Sequence, residues 1–345
     1  MLTWLYTPAD RPTLITKALN GPADMVIVDL EDAVAPTAKE AARAQVVALL
    51  GSLRSAPGPS RSSGEPSAPR AGTRPGESSA PWAEARPGEP PVPRAGTRPG
   101  ESAPWAEARP GEVPAPRGRT RSGEVAVSVV RAARVQVRVN DVRTAWGQAD
   151  LRDLAPVVAG TAGIRLPKVE SPALIRAIAD AVPGVPLHPL IESAIGLERA
   201  YEIATAHSSV ASIGLGEADL RAELGVRDEA GLAWARSRVV VAARAAGLPA
   251  PAQSAYTDLR DLEGLAVSCR LGRAMGFRGR AAIHPAQLAV IEAAYRPTAP
   301  EIEAAQAVLT ASGSGATLLP DGRFVDEAIV RQARSTLADA DLRGA

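Results

Sequence analysis

What constrains this chain most is an alternation. Short apolar runs recur at 2–6, 25–29, 134–139, 163–167, 187–191, 210–214, 250–254 and 280–283. Stretches with helical spacing lie between them, at 11–19, 37–50, 149–158, 172–181, 197–207, 232–246 and 259–275. Strand, crossover helix and parallel strand make a βαβ unit, and eight strands in such a series predict a (β/α)8 TIM barrel. The rival is a doubly wound open sheet, which wants a glycine-rich phosphate turn after its first strand. That turn here reads Thr-Pro-Ala-Asp-Arg-Pro, without glycine. Ser171 before Pro172 is an N-cap with proline at the first helical position, and Gly247 is a helix stop. Further helical stretches at 301–310 and 326–337 predict extra helices in a C-terminal extension over 297–345.

Composition matters because it is uneven. The segment 54–123 holds 15 Pro, 10 Gly, 11 Arg and 7 Glu, with no Ile, Leu, Met, Phe, Tyr, Asp or Lys. Its net charge is +4, against −3 for the other 275 residues, so the overall +1 hides a basic insert in a mildly acidic body. Within it, residues 69–89 recur as 93–112 with one Ser fewer, each copy carrying a single Trp, Trp82 or Trp105. A solenoid needs apolar positions to stack, and here there are too few. The insert is expected to be a disordered loop with polyproline II tendency, interrupting one barrel domain. A docking site for a Pro-motif-recognising or an acidic partner is the functional alternative.

Neither charge balance reaches the basic bias of a nucleic-acid-binding domain. No run approaches the roughly 20 apolar residues of a membrane span. A lone Cys269 forms no internal disulfide, which fits a reducing compartment, and the N-terminus lacks the basic start of a secretory signal. A cytoplasmic protein is the expectation.

Barrel chemistry gathers where strands end and their loops begin. That rule selects Asp29, Glu31 and Asp32 after strand two, Arg138 and Asn140 after strand three, and Lys168 and Glu170 after strand four. Glu192 and Ser193 follow strand five, Glu217 and Asp219 strand six, and His284 strand eight. A carboxylate-rich, cysteine-free set suits Mg²⁺ or Mn²⁺ better than zinc. Each residue also has a bland reading: Glu192 and Asp219 as ion-paired structural carboxylates, Glu31 and Asp32 as groups that solvate a loop or cap the next helix, Lys168 with Glu170 as a structural ion pair. His284, beside Pro285, reads as a turn-capping residue, His188 and His207 as structural or surface groups, and Cys269 as an inert core residue.

Nine stretches, in order, carry a resemblance. They are LYTPADRP, DMVIVDLEDAVAP, VRVN at 137–140, LPKVES at 166–171, PLIESAIG at 189–196, GLGEADLRAELGV, TDLRDLEGL, AMGFRGRAAIHPAQL and DGRFVDEAIVRQAR. With these the chain resembles the citrate lyase β-subunit-like branch of the HpcH/HpaI aldolase superfamily, over essentially everything outside 54–123. The resemblance implies a Mg²⁺-dependent barrel lyase acting on a CoA (or acyl-carrier) thioester of a hydroxy acid. It implies Glu192 and Asp219 as metal ligands, Arg138 against the keto acid and its developing enolate oxygen, and Glu31 and Asp32 holding the metal's waters. Asp326 matches an aspartate that reaches a neighbouring subunit's site as acid/base, which implies a homotrimer or larger assembly. Arg11 in the first loop would meet a CoA phosphate. Two positions distinguish this chain. The pyruvate aldolase branch reads Asp-x-Glu-His after strand two, where this chain has Asp32, which favours the thioester lyase. The family's usual proline after Asp326 is Ala328 here.

The expected reaction is therefore cleavage of a citryl-, malyl- or citramalyl-type thioester to an acyl-CoA and an α-keto acid. A thioesterase on the same scaffold, and a non-catalytic subunit recruited through the insert, are the alternatives.

Overall fold

The computed structural model describes residues 1–55, 134–312, 317–318 and 322–341. Seven parallel strands form one sheet: β1 Thr3–Pro8, β2 Met25–Asp29, β3 Val135–Arg138, β4 Gly163–Leu166, β5 Leu187–Ile191, β6 Gly214–Leu215 and β7 Arg280–Ala282. Their spatial order is β6-β5-β4-β3-β2-β1-β7. From β1 to β6 neighbours in sequence are neighbours in space, and β7 returns to the other side of β1, so the sheet curls in the TIM-barrel-like manner.

The eighth expected strand, 250–254, takes a reduced form. Gln253 makes a single parallel bridge to Arg280. Ser254 donates its hydroxyl to the Leu215 carbonyl at the end of β6. Likewise the 210–214 run contributes one bridge, Val210 to Leu187, before the two residues of β6.

Eight helices follow the expected places: α1 Pro12–Leu19, α2 Lys39–Ser55, α3 Ala145–Val158, α4 Pro172–Ala181, α5 Ala194–Glu198, α6 Ala200–Ala204, then, after α7 Glu217–Leu224, α8 Ala233–Ala245 and α9 Leu262–Ala274. The 197–207 stretch is split at Arg199 into α5 and α6. Helix α7 and α10 Leu288–Tyr295 were not expected. Helix α7 is largely charged and shows only a weak apolar stripe, although Gly225, left-handed at φ 64°, stops it as a C-cap glycine should.

Helix α2 runs on through Arg54, which donates to the Pro156 carbonyl at 2.8 Å. The proposed insert therefore begins inside an ordered helix; the remainder of 54–123, with its repeats and Pro-motif, lies outside the described residues apart from Ser55. No helix among the described residues is long and apolar enough to cross a membrane.

Helices cover the outer face of the sheet, and Val26, Val28, Val137, Ile164 and Leu166 are sealed between the layers. Strand β1 alternates buried Thr3, Leu5 and Thr7 with partly open Trp4, Tyr6 and Pro8, which face the cavity inside the curl. At the C-terminus, α11 Ala299–Ala311 and α12 Glu327–Asp341 pack on each other with the short pair β8 Thr317–Leu318 and β9 Phe324–Val325. They share a small core of their own, built on Ala305, Val308, Val325, Val330 and Ala333.

Candidate active site

Parallel strands deliver their C-terminal residues to one end of the sheet, and the selected charges meet there. The register pairs Asp29 on β2 with Arg138 on β3. Asp29 is 1% exposed and takes the guanidinium as a fork, Nε to Oδ1 at 2.8 Å and Nη2 to Oδ2 at 2.7 Å. The same carboxylate accepts the backbone N–H groups of Glu31 and Ala33, folding the loop back over its strand. Arg138 then spends Nη1 on Glu31 at 2.9 Å and Asp32 at 3.2 Å, and lies over the Tyr6 ring at 5.1 Å. Burial alone would lower its pKa; the Asp29 fork and the Glu31 charge outweigh burial and hold it above the ordinary value.

Lys39 reinforces the loop from behind. Its buried ammonium donates to the carbonyls of Leu30 and Glu31, at 2.9 and 2.7 Å, and to Asn140 Oδ1. Asn140 is held in turn by Asp150.

Lys168 is the residue the sequence reading undervalued. It is the one non-glycine at positive φ among the described residues, at 54°, a conformation that costs energy and gathers at functional sites. That turn aims its N–H at Glu192 Oε2, 2.8 Å away, and its ammonium at Glu31 Oε1, 3.1 Å, and Asp219 Oδ2, 3.7 Å. A lysine just after a strand was the available sequence signal; the backbone sign that makes it special was not readable. Burial would lower its pKa, but Glu31, Asp219 and Glu192 together raise it.

Two carboxylates carry the opposite perturbation. Glu31 is pushed up to about 7, chiefly by burial and then by the charges of Asp32 and Glu192 against the opposing Arg138 and Lys168. Glu192, 6% exposed, is also raised, by burial first and by Asp219, with the Lys168 N–H pulling the other way. Gly216 makes the cradle for it: a Cβ there would stand 2.3 Å from Glu192 Oε1. The site thus gathers Glu31, Asp32, Glu192 and Asp219 around two cations.

Other candidates fall elsewhere. Asp326 precedes α12 and caps it, accepting the Ile329 N–H at 3.0 Å, and does not line the cavity of its own chain. Arg11 is exposed at the start of α1, 3.8 Å from Asp10. Glu170 pairs with Arg143 and Glu217 with Arg236, both structural arrangements. His284 caps the turn at Pro285–Gln287, accepting the Ala286 N–H; Cys269 is buried in α9. His188 lies inside the curl rather than on the surface, with Nδ1 2.8 Å from Ser212 Oγ.

Below this mouth a cavity of about 940 Å³ extends along the concave face of the sheet, lined by Trp4, Tyr6, Gln136, Arg165, His188 and Ser254 among others.

As for a metal, no group of three or more His, Cys, Asp or Glu donors is preformed among the described residues. Mg²⁺ does not need one, since it commonly takes one or two carboxylates and fills its octahedron with water and substrate. A Glu192 that burial, and then the Asp219 charge, keep above its ordinary pKa, with an ammonium drawn in between the carboxylates, is a donor set suited to an added cation.

A model of the HpcH/HpaI aldolase/citrate lyase family matches residues 2–61 and 125–285. The (3S)-malyl-CoA thioesterase of Cereibacter sphaeroides is 39% identical over 214 residues, 59% of this chain and 73% of the relative. The citrate lyase subunit beta of Leuconostoc mesenteroides is 32% identical over 226 residues, 60% and 74% of the two chains. The crystal structure of CitE from Mycobacterium tuberculosis, in complex with magnesium, acetoacetate and coenzyme A, superposes with a TM-score of 0.68 at 28% identity, covering 98% of this chain and 97% of that one.

Proposed function

We propose, from the premise that the chain belongs to the HpcH/HpaI aldolase/citrate lyase family, that it is a Mg²⁺-dependent carbon–carbon lyase. Its substrate would be a β-hydroxyacyl-CoA thioester of the citryl-, malyl- or citramalyl-CoA type, its products an acyl-CoA and an α-keto acid. The observation that carries this reading is the convergence of Arg138, Lys168, Glu31 and Glu192 at one end of the sheet, with Asp219 beside them.

Glu192 and Asp219 would hold the Mg²⁺, which supplies a Lewis acid and a template for the keto acid's carboxylate and oxygen. Removing the hydroxyl proton lets the O–H electron pair become the new C=O as the bond between the α and β carbons breaks. The electrons released pass into the thioester as an enolate, which is then protonated to the acyl-CoA. Arg138, fixed by Asp29, offers positive charge that needs no rearrangement as the oxyanion develops. Glu31, titrating near neutrality, can hold a proton at this mouth, and Asp32 would order water beside it. Asp326 would remove the hydroxyl proton in a neighbouring subunit's site, within a homotrimer or larger assembly. Arg11, exposed at the rim, would meet a CoA phosphate. The Gln253 segment would act as the eighth stave of a closed barrel.

A second reading, hydrolysis of the thioester, is favoured by the likeness to the malyl-CoA thioesterase. A panel of malyl-, citramalyl- and citryl-CoA with Mg²⁺ and product identification decides between them. Keto acid plus acyl-CoA is the expected outcome; free acid plus CoA supports the thioesterase, and intact substrates refute both. Chelation and Glu192→Ala should each abolish turnover.

A further inference from the structure

Deeper inside the curl sits a charge that the lyase chemistry leaves unused. Arg165 lies on β4, its Cα paired with Arg138 on one side and His188 on the other. It is 9% exposed, yet the one hydrogen bond of its guanidinium among the described residues runs from Nε to Gln136 Oε1, at 3.0 Å. Arg43 and Arg236, buried to a similar degree, each bond a carboxylate, Asp150 and Glu217, while the buried Arg280 bonds the Ser254 carbonyl and does not line the cavity. Burying a guanidinium without an anion is costly, so an Arg165 lining the cavity is a site prepared for one.

The surroundings fit that reading. Nη1 is 3.7 Å from where a Cβ on Gly214 would stand, so the fork reaches across towards β6. Two residues further along, Gly216 abuts Glu192 in the same way. Two residues of strand rise are about 7 Å, so the fork lies one inward-facing layer below the carboxylates of the mouth. His188 beside it stays neutral, pushed down to about 3 by burial and by Arg165 itself, and brings no competing charge.

Resting on the lyase reading, we infer that Arg165, oriented by Gln136, is a subsite for a second carboxylate on the acid moiety. The preferred thioesters are then those whose released keto acid is a dicarboxylate.

The test reads binding without turnover, by calorimetry of keto acids titrated into the full chain with Mg²⁺. Oxaloacetate serves as the dicarboxylic probe and pyruvate as the monocarboxylic one. Wild type should prefer oxaloacetate by about 10-fold or more, the usual scale of a charge-assisted pair. Arg165→Met should bring that ratio close to one with pyruvate affinity unchanged. Gln136→Leu keeps the charge but frees the fork and should cut the ratio several-fold; it decides the matter if Arg165→Met does not fold. A ratio unmoved in the variants, or pyruvate weakened as much as oxaloacetate, overturns the inference. So does acetate binding at Arg165 without Mg²⁺ as tightly as oxaloacetate with it, the behaviour of a free anion hole. An Arg165-dependent ratio in a protein that cleaves no thioester would refute the lyase and leave the subsite standing.

Discussion

Asn in place of Asp29 reverses half of a buried network without changing its shape. The Asp29 carboxylate accepts four bonds: two from Arg138, at 2.8 and 2.7 Å, and one each from the N–H groups of Glu31 and Ala33. An amide oxygen at the Oδ1 position keeps the bonds from Arg138 Nε and Glu31. The NH₂ at the Oδ2 position then faces Arg138 Nη2 and the Ala33 N–H, two donors against a donor. A lost bond to a charged group costs about 1.5–3 kcal/mol, and breaking one side of a buried pair about 3–5. Arg138 keeps Glu31 and Asp32, so we expect about 3 kcal/mol. For a core of this size that lowers Tm by about 6–12 °C. Urea and thermal melts monitored by circular dichroism measure it, with Asp32→Asn as control. Asp32 meets the same guanidinium with a side chain 68% exposed, so its loss should cost below about 1 kcal/mol. Asp29→Asn within 1 kcal/mol of wild type, or a control costing as much, would refute the view that this fork fixes Arg138.

Gly216→Ala would set a methyl 2.3 Å from Glu192 Oε1, forcing that carboxylate aside. Mg²⁺ affinity, measured by calorimetry, should fall at least about 10-fold, the scale of disturbed ligand placement, while the melting temperature changes little. The depressed His188 works through linkage. Its folded pKa, about 3, lies below the unfolded 6.5, so below pH 6.5 the unfolded chain binds the proton first. The His188 contribution is therefore whole above pH 6.5 and is lost progressively as pH falls towards 3. It should cost up to about 2 kcal/mol by pH 5, a loss that denaturant titrations across pH 4–7 should find reduced in His188→Gln. Full turnover in a Mg²⁺-depleted sample would contradict the assignment of Glu192 and Asp219.

Much of this was legible along the chain because it depends on neighbours in sequence. Period and capping located the strands and most helices: Ser171 does accept the Ala173 N–H, and β2 and β5 span the expected residues. Strand ends named Glu31, Asp32, Arg138, Glu192 and Asp219 because in parallel sheets that position carries chemistry. Legibility stopped where periodicity was weak. The polar helix α7 shows little apolar stripe, and the 250–254 run looks like a full strand but makes a single bridge.

The sequence by itself determined the alternation, the charges available at the mouth and the family. Only the tertiary structure decided which charges were already paired. Arg138 and Arg165 occupy paired positions on adjacent strands, and no local pattern distinguishes them. One meets Asp29 across 109 residues of chain, while the other finds Gln136 and an open cavity. Lys168 reaches Glu31 across 137 residues because its own backbone turns left-handed. Such contacts follow from strand register and the curl of the sheet, which bring side chains from distant segments together. There the burial of Glu31 raises its pKa, and Arg165 meets Gln136 rather than a carboxylate among the described residues.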